Sequence, residues 1–129
     1  MKEDRKGKTP QQIAQQLGIP HVETHIFLCA GPDCCSVEEG EAAWKALKGK
    51  VKSLYPDLGE AKVYRTRAKC LRICKDGPIA VAYPQGKWFQ GVTAEHMDDV
   101  VEHLASGSEA QHPLEFGRYP LSVDGADDE

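Results

Sequence analysis

Apolar residues fall along this chain in two rhythms, and their order predicts an architecture. Ile26, Phe27 and Leu28 form a short bulky run ending at Cys29, which predicts a core strand over 25–29. Trp44, Leu47, Val51 and Leu54 then recur at helical spacing, with Glu41, Lys45, Lys48 and Lys52 on the polar face. Trp44 is accordingly expected in the core. Ser36 and Glu39 have the spacing of a capping box, and Pro56 closes this helix. Residues 62–67 alternate and are rich in β-formers, predicting a second strand. A third covers 78–83; Pro84, Gln85, Gly86 and Lys87 turn it, and Trp88 and Phe89 begin the return. Thr93 is expected to cap a last helix, with Met97, Val100, Val101 and Leu104 on its buried face and Gly107 at its end. The order β-α-β, then β-β-α, predicts an α/β fold: a four-stranded mixed sheet with flanking helices.

The ends read differently. Thr9, Pro10 and Gln12 carry another capping-box signature, opening a short helix with Ile13 and Leu17 on one face and Gly18 as its stop. Three segments result: an extension over 1–23, the α/β body over 24–107, and an acidic, flexible tail over 108–129. Leu114, Phe116, Tyr119 and Leu121 are the residues able to anchor the first half of that tail.

With 129 residues there is room for one domain with a modest core, which a metal cross-link would help. A net charge of −4 argues against general nucleic-acid binding. No apolar run is long enough to cross a bilayer, and the charged start (Lys2, Glu3, Asp4, Arg5, Lys6) does not resemble a targeting segment. The expectation is therefore a cytoplasmic protein whose thiols stay reduced, so its five cysteines favour metal or redox chemistry over a disulfide framework. The glycines form no nucleotide-binding fingerprint.

Those cysteines lie in two short stretches. One runs Cys29-Ala30-Gly31-Pro32-Asp33-Cys34-Cys35; the other is Cys70-Leu71-Arg72-Ile73-Cys74, followed by Lys75-Asp76-Gly77-Pro78. A loop of three or four residues lets two sulfurs reach neighbouring positions on one centre. Thiolates suit both zinc and iron–sulfur clusters, so spacing leaves zinc, iron–sulfur and inert buried thiols all open. Context adds weight to a cluster: each pair ends or follows a patterned strand, and Gly31, Pro32, Gly77 and Pro78 fix the backbone beside the sulfurs.

The whole pattern, C-x4-C-x35-C-x3-C followed by x2-Gly-Pro, resembles the thioredoxin-like 2Fe–2S ferredoxins. That group includes the Shethna-type proteins and the small cluster-bearing subunit of NADH:quinone oxidoreductase. The matching blocks are His25-Ile26-Phe27-Leu28-Cys29, Gly31-Pro32-Asp33-Cys34-Cys35, Cys70-Leu71-Arg72-Ile73-Cys74, Gly77-Pro78-Ile79-Ala80-Val81 and Gly91-Val92-Thr93. The resemblance implies a thioredoxin-like fold and one 2Fe–2S cluster held by Cys29, Cys34, Cys70 and Cys74. It favours Cys34 over Cys35, because C-x4-C is the family spacing and Cys35 then opens the capped helix. It further implies a one-electron carrier, not an enzyme, that passes electrons between a donor and an acceptor protein and pairs as a homodimer. Dithiol exchange is not implied, since the chain has no C-x-x-C. A zinc-pinned interaction module and a relay subunit of a larger oxidoreductase are the alternatives.

Charge is uneven around the second cysteine stretch. Residues 62–76 hold Lys62, Arg65, Arg67, Lys69, Arg72 and Lys75 against Asp76 alone, a local +5 within a chain of −4. Such asymmetry suits either an acidic partner or a plain solvated strand edge. Histidine ligation, as in a Rieske centre, is not expected of His25, His96 or His103; His21 and His112 fall in predicted loops. Trp88 is expected to pack at the core or its edge.

Overall fold

Strand β1 (Thr24–Cys29) sits near the middle of a five-stranded sheet and sets the position of everything else. The computed structural model describes residues 6–32, 34–73 and 75–121, with the Leu58 side chain excepted. The other elements are α1 (Pro10–Gln16), α2 (Val37–Leu54), β2 (Val63–Ala68), β3 (Ile79–Tyr83), β4 (Lys87–Phe89), α3 (Ala94–Ala105) and β5 (Glu115–Arg118). The sheet order is β2-β1-β3-β4-β5. β1 and β2 are parallel, joined through α2; all other pairs are antiparallel. The sheet is therefore mixed, with a thioredoxin-like arrangement of strands and helices.

Local signals account for the helix starts. Thr9 accepts from the Gln12 amide and the Gln12 side chain answers to Thr9 N; Ser36 and Glu39 do the same for α2. Thr93 occupies the N-cap position of α3, but its side chain makes no capping bond. That helix is held by its apolar face instead: Met97, Val100, Val101 and Leu104 are all buried.

Strand alternation divides the sheet into two faces. Ile26, Leu28, Val63, Ala80, Ala82 and Phe89 face α2 and α3 and form one core with Ala43, Leu47, Val51 and the α3 residues. Trp44 is only half-buried at the margin of that core, not within it, with the Arg65 and Lys48 cations over its ring. The buried stripe of α2 is Gly40, Ala43, Leu47 and Val51. Gly40 turns the helix this way, because a Cβ there would overlap the Ala30 carbonyl. A bulkier face cannot come so close to the end of β1.

The opposite face of the sheet carries rings. His25 stacks on Phe27 at 4.1 Å between centroids, Phe27 meets Tyr83 at 6.4 Å, and Trp88 meets Phe116 at 6.3 Å. The long helices leave this face open.

The four-stranded expectation is exceeded by β5, which lies inside the segment expected to be a tail. Gln90 N donates to Leu114 O and Tyr119 N to Gly86 O, stitching 114–119 along β4. Leu114 packs on the core and Phe116 beside Trp88, whereas Tyr119 and Leu121 are exposed. Glu115 is buried with Arg118 forked onto it, and His112 is buried with its Nε2 2.7 Å from Asp99 Oδ2. Lys87, expected in a turn, is buried and donates to Ser108 O at 2.6 Å. Residues 122–129, which hold most of the acidic ending, lie outside the described residues. Among the described residues, no helix is long and apolar enough to cross a membrane.

Candidate metal centre

β1 ends in Cys29, which faces away from the helices beside Ile79 of β3. The chain turns at Gly31, whose φ of +89° is open to glycine at little cost, and brings Cys34 back against Cys29. Their sulfurs lie 2.8 Å apart and share a hydrogen; Cys34 Sγ is also 3.3 Å from Cys29 O. Both side chains are buried, at 2 % and 6 % exposure. Ser36 then opens α2, so the helix fixes this loop from its far end.

The second stretch arrives from the neighbouring strand. Ala68 ends β2 opposite Cys29, and Cys70 follows two residues later. Leu71 packs on the apolar group formed by Cys29, Cys34 and Ile79, together with Trp88 and Cys35. Gly77 N donates to Cys34 O at 2.9 Å, tying the loop after the second stretch directly to the first. A Cβ on Gly77 would meet that carbonyl at 2.6 Å and the Cys34 Cβ at 2.7 Å, so only glycine allows this approach. The two stretches, 35 residues apart in sequence, therefore meet at one end of the sheet.

Cys70 is exposed, and its Sγ accepts from the Arg72 amide at 3.2 Å. Arg72 holds a φ of +72°, which costs a non-glycine residue about 1–2 kcal/mol. An amide aimed at a thiolate stabilises negative charge on sulfur and raises the potential of a cluster bound there. Cys74 lies outside the described residues. Among the described residues, no three His, Cys, Asp or Glu side chains are gathered closely enough to hold a metal ion. The site as described is thus a close pair, Cys29 and Cys34, with Cys70 on the adjoining loop.

Burial, then the hydrogen bond shared with Cys29, pushes the Cys34 thiol up to about 12. Burial also raises Cys35, whose Sγ lies 3.9 Å from that of Cys34. Metal binding to such thiols releases protons and converts them to thiolates. Cys29 and Cys34 offer two soft sulfur donors side by side, the donor chemistry that fits a 2Fe–2S cluster.

Among the described residues, no histidine joins the cysteines. His25 bonds Thr66 Oγ1 at 2.7 Å, and His103 faces Lys87 and the Phe89 ring. Sequence reasoning assigned nothing to His112, because its burial depends on β5 folding back beneath Asp99, which no local spacing announces. Trp88 packs against the apolar side of the cysteine group, at the edge of the core as expected.

Three relatives carry the same chemistry in their names. A candidate 2Fe–2S ferredoxin of Priestia megaterium is 40 % identical over 91 residues, covering 70 % of this chain and 68 % of that protein. A 2Fe–2S ferredoxin of Clostridium pasteurianum is 31 % identical over 88 residues, covering 64 % of this chain and 86 % of that one. The solved thioredoxin-like 2Fe–2S ferredoxin of Aquifex aeolicus matches the fold with a TM-score of 0.64 at 25 % identity, over 78 % of this chain and 96 % of its own. No protein-family model matches the chain.

Proposed function

Since the chain belongs to the thioredoxin-like 2Fe–2S ferredoxins, carries a 2Fe–2S cluster and is an electron carrier, we propose that Cys29, Cys34, Cys70 and Cys74 are the ligands of that cluster. The observation that supports this most directly is the buried Cys29–Cys34 pair at 2.8 Å, with the Cys70 loop packed on it through Leu71. When bound, the cluster takes up and gives back one electron at a time. The chain's own residues set the terms of that exchange. Leu71, Ile79 and Trp88 keep water from one side, the Arg72 amide stabilises charge on Cys70, and the exposed loop leaves the other side open to a partner.

The protein is a carrier and not an enzyme, moving electrons between a donor and an acceptor protein. It works in the cytoplasm, where its thiols stay reduced for loading. The 24–107 segment bears the cluster, and β5 adds a fifth strand to its sheet. Two copies pair through the open ring-bearing face of the sheet, where Phe27, Tyr64, Tyr83, Trp88 and Phe116 lie half-buried or exposed.

Serine variants of each cysteine test the ligand set. Cys29→Ser, Cys34→Ser, Cys70→Ser and Cys74→Ser are each expected to cut iron and acid-labile sulfide or shift the visible and EPR spectra. Cys35→Ser is expected to keep the parent's content and spectra. A full parent spectrum from Cys34→Ser together with a changed one from Cys35→Ser would move the ligand to position 35. Stoichiometric zinc in a colourless protein would overturn the cluster assignment itself.

A further inference from the structure

The loop that carries Cys70 exposes cations around an apolar side chain. Lys69, Arg72 and Lys75 are exposed, and none of them has an ion pair among the described residues. Arg67, just before them, is already paired with Glu41 at 3.0 Å. Between these cations Ile73 stands 44 % exposed, and Val37, at the start of the helix after the first cysteine stretch, is 55 % exposed. Among the described residues only Tyr119 and Leu121, of the large hydrophobic side chains, are more exposed than Val37, and Val37 and Ile73 flank the cysteine loops in sequence.

The end of the loop is tied to the body of the protein. Gly91 N donates to Asp76 O at 2.7 Å, and Gly77 N to Cys34 O. Arg72 and Asp76 both sit at positive φ, a cost that persists only where surrounding structure enforces the conformation. An exposed apolar side chain among cations that have no ion pair among the described residues is the anatomy of a small docking surface, apolar at the centre and polar outside.

Resting on the electron-carrier reading, we propose that the redox partner docks on this loop, burying Ile73 and Val37 and setting an acidic edge against Lys69, Arg72 and Lys75. Glu38, next to Val37 in the first turn of α2, is exposed and negative. The attraction works against the net charge of the chain, −4, so it is local to the loop.

Two probes test it on the cluster-loaded protein. In stopped flow, the reduced protein gives one electron to ferricyanide, leaving ferrocyanide and oxidised protein. If the local rim governs approach, this rate falls as salt is added; if net charge governs, it rises. Lys69→Glu/Arg72→Glu/Lys75→Glu is expected to slow the low-salt rate by about tenfold and reverse the salt dependence. The control Lys6→Glu/Lys45→Glu/Lys52→Glu changes net charge equally, at exposed sites outside the loop, and is expected to keep the parent's falling salt dependence. The second probe is an eight-residue glutamate peptide, whose binding needs no electron transfer. Its binding is expected to be lost in the loop variant and retained in the control. Parent rates that rise with salt, or peptide binding equal in the loop variant and the control, would overturn the proposal. A protein without iron and sulfide would overturn the carrier reading instead, and the peptide measurement would still decide the docking surface.

Discussion

Gly40 and Gly49 lie on the same helix, and one substitution should move stability in opposite directions at the two sites. At Gly49 a Cβ meets nothing within 4 Å, and the residue is exposed. Alanine there gains helix propensity, up to about 1 kcal/mol. At Gly40 the same methyl would overlap the Ala30 carbonyl, and even the third nearest atom, Ala30 Cα, lies at 3.0 Å. Carbon contacts are comfortable at about 3.5–4.0 Å. The obstacle is backbone at the end of a central strand, so no side chain can rotate aside. Either α2 or the end of β1 must retreat, at an overpacking cost of about 1–3 kcal/mol that the propensity gain only partly offsets. Gly40→Ala should therefore lower the melting midpoint and Gly49→Ala raise it, each by several degrees, at ~4 °C per kcal/mol for a chain of this size. Because Ala30 follows Cys29, Gly40→Ala should also cut iron retained after purification, whereas Gly49→Ala leaves it at the parent level. Thermal melts followed by far-UV circular dichroism and by loss of visible absorbance provide both readings. A Gly40→Ala protein as stable as Gly49→Ala would refute the close approach of α2 to β1.

Two further expectations concern the rest of the molecule. Burial lowers the pKa of His103, with the charges of Lys87 and His112 adding to it, and burial followed by Arg65 lowers that of His25. Below the ordinary histidine value of 6.5 the unfolded chain then binds more protons than the folded one, so stability should fall as pH drops through that region and level off below the folded pKa values. His103→Gln should flatten the dependence, and a denaturant midpoint independent of pH between about 5 and 7 in the parent would contradict it. Pairing through the ring-bearing face predicts a dimer in sedimentation equilibrium that Trp88→Lys/Phe116→Lys converts to monomer; a parent that stays monomeric at high concentration would refute the pairing.

The sequence determined what depends on near neighbours. The capping boxes at Thr9 and Ser36 bond as their spacing predicts, because a helix start is satisfied by groups three residues away. The α3 stripe from Met97 to Leu104 is buried as its period required. β1, β2 and β3 fall within a residue or two of the predicted runs. The cysteine spacings left zinc and iron–sulfur both open, and it was the resemblance of the whole pattern that pointed to a 2Fe–2S cluster.

Tertiary structure decided whatever depends on a partner distant in sequence. Trp44 and Leu47 have equal claim to the core by period, and only the contact of Gly40 with Ala30 turns α2 so that Leu47 goes in and Trp44 stays at the margin. β5 is short and polar, and becomes a strand because β4 offers an unpaired edge to it. Lys87 and His112 look like loop residues until that strand closes over them. The meeting of Cys29 and Cys34 with the Cys70 loop follows from the parallel pairing of β1 with β2, a register set by burying Ile26 and Val63 on one face of the sheet.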